Sequence, residues 1–429
     1  MKNVLEWLET TVEKYPDKPA FSDTECSITF RQVYDIARNT GAYLVEQLGV
    51  DRTPVAVFAG RKMVTPAYFL GVVYAGRPYA PIDASLPDKR IEKILENLCP
   101  RAIVADRESR EHVESIVDEL AKAEGFDRPQ IFIAEDILHF EQVACADSNC
   151  KISESSGDAV TDSENDMLAA VRRQMSMTDP LYIIYTSGST GNPKGVMTSH
   201  LSLMTYINAY CDVMHIEESD VLGNQSPLDY IAAIRDIYLP LKTGCSTAII
   251  PKEYFMEPNA LFDYMNEKKV SSVGWSVSAF TILTSLGAFE EVGLKSLRKI
   301  CFSGSVMPCR VLRKWQENLP EAHFVNQYGP TEATASCTYY SVDHTVEEDE
   351  VLPIGKAYDN YRVFLIDEHG NEPAVGEQGE ICVCGPILAL GYYNDPERTA
   401  AAFTLNPLNR AYPELSLIHI SEPTRPRLI

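Results

Sequence analysis

The chain has 429 residues, 45% hydrophobic, 9% aromatic and 23% charged, which is the balance of a folded globular protein and excludes a disordered or fibrous one. Its 38 Lys and Arg stand against 61 Asp and Glu, and the resulting net charge of −23 argues against nucleic acid or an anionic membrane as partner. An anionic ligand would therefore need a local site.

At roughly 150 residues per domain, two or three domains are expected. The start, MKNVLEWLETTVEKYPDK, alternates apolar and charged residues without the apolar core of a secretory signal, and runs such as YFLGVVYAG (68–76) are too short to cross a bilayer. A cytoplasmic protein without a membrane partner is expected. LEWLETTVEKY and RQVYDIARNTGAYLVEQLG read as amphipathic helices, and PVAVFAG, RAIVAD and QIFIAED as short buried strands, so residues 1–178 form a first layered α/β subdomain. Within it, residues from about 145 to 179 are rich in Ser, Asp and Glu and read as a solvated insertion or linker. The alternation resumes at LYIIYTSGSTGNPKGVMTSH and continues through CSTAIIP, VSSVGW, KICFSG and HFVNQYG, giving a second α/β subdomain over 179–345. Residues 346–414 change to Gly-punctuated strands, RVFLIDEHGNEPAVGEQGEICVCG, and predict a partial β-barrel. Eleven Cys, an odd number, fit reduced thiols better than a disulfide framework. Cys382 and Cys384 read as buried strand residues, because no second Cys or His pair at zinc spacing accompanies them.

The strongest local signal is Tyr185-Thr-Ser-Gly-Ser-Thr-Gly-Asn-Pro-Lys-Gly195, set between the strands LYIIY and VMT. Gly188, Gly191 and Gly195 let the backbone turn its N–H groups inward, Ser187, Ser189 and Thr190 add hydroxyls, and Lys194 adds a positive charge. Such a loop cradles phosphate. It is neither a Walker loop, since no Gly-Lys-Ser/Thr closes it, nor a dinucleotide fingerprint, since G-x-G-x-x-G is absent.

YTSGSTGNPKG resembles the signature loop of the adenylate-forming enzymes, which include acyl-CoA synthetases, nonribosomal peptide synthetase adenylation domains and D-alanine:carrier-protein ligases. Asn326-Gln-Tyr-Gly-Pro-Thr-Glu332, Gly71-Val-Val-Tyr-Ala-Gly-Arg-Pro-Tyr-Ala-Pro-Ile-Asp83 and Ser303-Gly-Ser305 resemble further family segments. Gly391-Tyr-Tyr-Asn-Asp-Pro-Glu-Arg-Thr399 is most similar to the carrier-protein-loading branch. The resemblance covers residues 1 to about 414. It implies an α/β fold, the large N-terminal domain of the family: two layered α/β subdomains and a partial β-barrel. It implies ATP and Mg²⁺ as cofactors. Thr186, Ser187, Thr190 and Lys194 would hold the β- and γ-phosphates, with Gly188, Ser189 and Gly191 shaping the loop. Tyr328 would stack on adenine, and Asn326 with the Ser303-Gly304 backbone would contact its edge. Gly329 would belong to the nucleotide-binding set beside Tyr328, Thr331 would touch the α-phosphate, and Glu332 would ligand Mg²⁺. Lys194, Thr331 and Glu332 would be the catalytic set.

By the same resemblance a small carboxylic acid is activated as its acyl-adenylate and passed to a phosphopantetheinyl carrier protein or to CoA. Amino-acid-activating relatives carry an Asp for the α-amine in the segment that here reads Asn224-Gln-Ser-Pro-Leu-Asp-Tyr-Ile-Ala-Ala-Ile-Arg-Asp-Ile-Tyr238, and Ile231 stands in its place. An apolar residue cannot balance an ammonium. Asp229, two residues earlier and about 7 Å along an extended strand, is the candidate substitute. Ala232 and Arg235 would line the same pocket; Arg235 either attracts an acidic side group or forms a surface salt bridge. An acyl- or aryl-CoA ligase and a non-catalytic nucleotide-binding protein are the alternatives.

The family continues with a Tyr-Arg-Thr-Gly-Asp motif, a hinge and a C-terminal lid domain bearing a Lys, none of which occurs here. The expectation is a chain lacking the lid, which binds nucleotide weakly and adenylates poorly. Residues 415–429 open with LSLIHISEPTR, which looks like a translated sequencing-adapter sequence, and are set aside as an artefact.

Overall fold

A computed structural model describes residues 2–123, 125–137, 162–187 and 192–417. In chain order the strands of its first half are β1 (Pro19–Ser22), β2 (Ser27–Thr29), β3 (Val55–Phe58), β4 (Tyr79–Ile82), β5 (Ala102–Ala105), β6 (Gln130–Ile133), β7 (Pro180–Thr186), β8 (Lys194–Ser199) and β9 (Val221–Asn224). Next come β10 (Ser246–Ile249), β11 (Ser272–Ser276), β12 (Lys299–Ser303), β13 (His323–Tyr328), β14 (Thr338–Val342) and β15 (Lys356–Ala357). The last are β16 (Arg362–Ile366), β17 (Glu380–Cys384), β18 (Gly391–Tyr392), β19 (Phe403–Leu405) and β20 (Leu415–Leu417).

These strands make three sheets: a seven-stranded one ordered β18-β8-β7-β4-β3-β5-β6, a nine-stranded one ordered β15-β14-β13-β12-β11-β9-β10-β1-β2, and a four-stranded one ordered β16-β17-β20-β19. The two large sheets exchange strands across the chain. β1 and β2 belong with β9 and β10, whereas β7 and β8 belong with β3 to β6.

The parallel centre of the seven-stranded sheet is buried on both faces, which is why VAVF, YAPI and AIVA are continuous apolar runs. Val55 and Val57 of β3 pack with the helices Phe30–Leu48 and Thr65–Tyr74, while Ala56 and Phe58 pack with Asp88–Leu98 and Arg110–Leu120. Each fully buried Val, Leu or Phe contributes about 1.5–3 kcal/mol before entropy. The helix Phe30–Leu48 starts on a capping box: the Gln32 N–H donates to Thr29 Oγ1 at 3.2 Å, and the Thr29 N–H to Gln32 Oε1 at 2.8 Å.

The acidic stretch is not all linker. Residues 162–174 form a helix, and Leu168 and Val171, one turn apart, are buried in the core. Residues 138–161 lie outside the described part. Leu415–Leu417, the start of the adapter-like tail, pair as β20 between β17 and β19, a place that any Leu-Ser-Leu alternation suits. Cys382 and Cys384 are buried free thiols in β17, and six other described cysteines are free, in line with reduced thiols rather than a disulfide framework. Among the described residues no helix is long and apolar enough to cross a membrane.

Candidate functional site

The apolar strand β7 and its partner β8 form an antiparallel hairpin in which Thr186 lies opposite Lys194. The phosphate-loop sequence is thus clamped at its base by a strand ladder, and Lys194 leaves from the last rung. Gly188, Ser189, Thr190 and Gly191 lie outside the described residues, and Ser187 is exposed. The Thr186 hydroxyl is buried and has no hydrogen-bond partner among the described residues. A buried donor left in that state costs about 1–3 kcal/mol until a ligand or water takes it.

The facing wall comes from the carboxyl ends of neighbouring parallel strands, where open α/β sheets hold their ligands. Phe302 of β12 lies opposite Asn326 of β13, so Ser303-Gly304 and Asn326-Gln-Tyr328 emerge side by side. The Asn326 side-chain N–H₂ donates to the Pro353 carbonyl at 2.8 Å, which fixes the amide. Tyr328 is 7% exposed and shares an apolar cluster with Val196 of β8 and Tyr392. Beyond Gly329 the chain makes one turn of 3-10 helix, Thr331–Ala333, then passes through Thr334 and Ala335 at φ 47° and 73°. A β-branched residue in the left-handed region costs of the order of 1–3 kcal/mol. The Thr334 hydroxyl holds it there by donating to the Ile387 carbonyl at 2.6 Å. This constrained turn aims Glu332 at the hairpin.

Lys194 Nζ stands 2.5 Å from Glu332 Oε1, joining two motifs 138 residues apart in sequence. Tyr392, to which sequence reasoning gave no role, completes the group. Its hydroxyl donates to Glu332 Oε1 at 2.7 Å and accepts from Lys194 Nζ at 3.2 Å, while its ring centre lies 4.9 Å from the ammonium. Burial, then the neighbouring Glu332 charge, raises the Tyr392 phenol well above its ordinary range, so it stays protonated and donates. The signal that could have found it was the Gly391–Thr399 motif, noted for its resemblance alone. Among the described residues no three His, Cys, Asp or Glu gather as a metal site. A single carboxylate suits a hard cation that brings phosphate and water as its other ligands.

The residues expected to choose the substrate divide between two places. Ile231 is buried and, with Ala232, forms the one-turn 3-10 helix Ile231–Ala233 ahead of the helix Ile234–Thr243. Arg235 is only 2% exposed, which rules out the surface salt bridge. Its Nη2 donates to the Gly274 carbonyl, its Nε is 3.8 Å from Asp236 Oδ1, and the Tyr210 ring centre is 6.0 Å away. Room for it exists because residue 274 has no side chain: a Cβ there would lie 2.2 Å from Arg235 Nε. Burial pushes the neighbouring Asp236 carboxyl up to about 6, against the pull of Arg235. Asp229 instead lines a small cavity with Gly60, Arg61, Ile82, Asp83 and Leu228, where burial and then the Asp83 charge push it up to about 6.

The profile of the family described as AMP-binding enzyme matches residues 8–393, a span that contains Lys194, Glu332 and Tyr392. The chain belongs to the AMP-binding enzyme family. This family member is 30% identical over 411 residues to the D-alanine--D-alanyl carrier protein ligase of Bacillus anthracis, an alignment covering 95% of this chain and 75% of the ligase. Among solved structures, the nonribosomal peptide synthetase FmoA3 superposes with a TM-score of 0.79 at 22% identity, over 97% of this chain and 40% of that one. The N-terminal subdomain of Klebsiella oxytoca NpsA in complex with 3-hydroxybenzoyl-AMSN gives a TM-score of 0.76 at 19% identity, over 98% of this chain and 96% of that one. The AMP-binding chain thus spans three quarters of the curated ligase and less than half of FmoA3. Its fold is the α/β N-terminal domain of adenylate-forming, ATP-binding ligases.

Proposed function

We propose that the protein uses ATP to activate a small carboxylic acid, an amino acid in the first instance, as its acyl-adenylate for transfer to the phosphopantetheine thiol of a carrier protein. The observation that carries this reading is the 2.5 Å contact between Lys194 of the phosphate-loop hairpin and Glu332 of the turn after β13. A carboxylate is a poor electrophile. Its oxygen attacks the α-phosphorus of ATP and pyrophosphate leaves; the thiol sulfur then attacks the acyl carbon and AMP leaves. The chain supplies position and charge neutralisation, not a nucleophile. Lys194, with the Thr186 hydroxyl and Ser187, takes the β- and γ-phosphates. Thr331 donates to the α-phosphate, and Tyr328, Asn326 and the Ser303-Gly304 backbone receive the adenine. Mg²⁺, when bound, offsets phosphate charge, and Glu332 is the side chain to hold it.

A second reading, an acyl- or aryl-CoA ligase, draws on Ile231. It is apolar and buried where an amine would need a carboxylate. Two measurements test these readings. Calorimetric titration with Mg·ATP is expected to give saturable binding that Lys194→Ala weakens at least tenfold, and no binding by the wild-type chain overturns the nucleotide site. Pyrophosphate exchange across amino, hydroxy, fatty and aryl acids assigns the substrate. A response confined to acids without an α-amine selects the second reading.

A further inference from the structure

The Gly391–Thr399 motif takes no part in the reaction derived above, yet one of its side chains reaches the centre of the site. Oε1 of Glu332 receives both Lys194 Nζ and the Tyr392 hydroxyl, and Oε2 receives no hydrogen bond from the described residues. We propose that Tyr392 is a positioning residue for the metal–nucleotide site: it pins Glu332 by one oxygen and parks the Lys194 ammonium against its ring until phosphate arrives. This rests on the nucleotide reading of the site. When Lys194 moves to the phosphates, the Tyr392 hydroxyl remains on Oε1, so Glu332 keeps its orientation and offers Oε2 to the cation that the nucleotide brings.

The placement of Tyr392 is built from several sides. Gly391 and Tyr392 pair with Met197 and Val196, the Leu390 N–H donates to the Met197 carbonyl at 2.7 Å, and the Tyr393 N–H to the Gly195 carbonyl at 2.8 Å. The same segment reaches the carboxylate's own backbone, with the Ala389 N–H donating to the Glu332 carbonyl at 2.8 Å. Behind the ring, the Tyr392 N–H donates to Thr399 Oγ1 at 2.9 Å, and Phe403 packs edge-on at 5.8 Å. Gly391 sits at φ 127°, and a Cβ there would lie 2.6 Å from Thr399 Cγ2, so the close approach of Thr399 requires glycine. A tyrosine that only sealed the boundary between sheets would not need its hydroxyl on a carboxylate that already carries a lysine.

The test uses Tyr392→Phe, which keeps the ring and removes the hydroxyl, with Tyr393→Phe as control. ATP affinity is measured by calorimetry with Mg²⁺ and again with EDTA, and thermal unfolding without ligand confirms that each variant is folded. The expected result is that Tyr392→Phe reduces the ratio of Mg·ATP to metal-free ATP affinity about tenfold, the size of a lost hydrogen bond to a charged group. Tyr393→Phe leaves the ratio unchanged. Equal weakening with and without Mg²⁺, or no change in either, overturns the positioning role while leaving the nucleotide site standing. Failure of the wild-type chain to bind ATP in either buffer overturns both.

Discussion

Asp229 holds its proton up to about pH 6 because burial and the nearby Asp83 oppose its charge. In the unfolded chain it is ionised above about pH 4. Between those values the folded state binds more protons than the unfolded one, so stability falls as pH rises through this window and levels off above it. The rise to about 6 corresponds to about 3 kcal/mol at most. Urea unfolding of Asp229→Asn should therefore show it gaining on the wild type by up to that amount between pH 4 and pH 7, and parallel curves would contradict the burial argument. At this scale the site is unevenly legible in sequence. Lys194, Tyr328 and Glu332 lie in short motifs singled out by their resemblance to the family, and the fold brings Lys194 and Glu332 into contact. The burial of Arg235 is not visible there, because it depends on the missing side chain of Gly274 on a strand that only folding brings alongside. The partnership of Tyr392 with Lys194 spans 198 residues, so the Gly391–Thr399 motif marks the segment but not the partner it meets.

The helix Asp162–Gln174 shows where composition misleads. Its acidic surroundings read as solvated, but the few apolar side chains at helical spacing decide the structure, since Leu168 and Val171 each become buried. Replacing either by Ala should cost about 1–4 kcal/mol in urea unfolding, whereas a tethered linker would show almost nothing. The strands were far easier to read. PVAVFAG and RAIVAD carry continuous apolar runs of strand length, KICFSG and HFVNQYG shorter apolar cores flanked by polar residues, and β3, β5, β12 and β13 fall within them. What those runs could not reveal is which sheet each joins. Pairing partners are set by crossover packing, and so β1 and β2 end beside β10 and not beside β3.

For the molecule as a whole, the net charge of −23 sets the long-range field, and Lys194 is already paired with Glu332. An anionic nucleotide must approach against that field, whose reach shrinks from about 30 Å at 10 mM salt to about 8 Å at 150 mM. Stopped-flow association of Mg·ATP should accordingly speed up severalfold over that range; a rate that falls with salt would place an attractive patch at the entrance. The position of β18 at the rim of the seven-stranded sheet has a consequence for biosynthesis. A ribosome adding about 5–20 residues per second needs on the order of 10–40 s to travel from Lys194 to Tyr392. For that interval the nascent chain carries an open β8 edge, and the Lys194 ammonium lacks its Tyr392 partner.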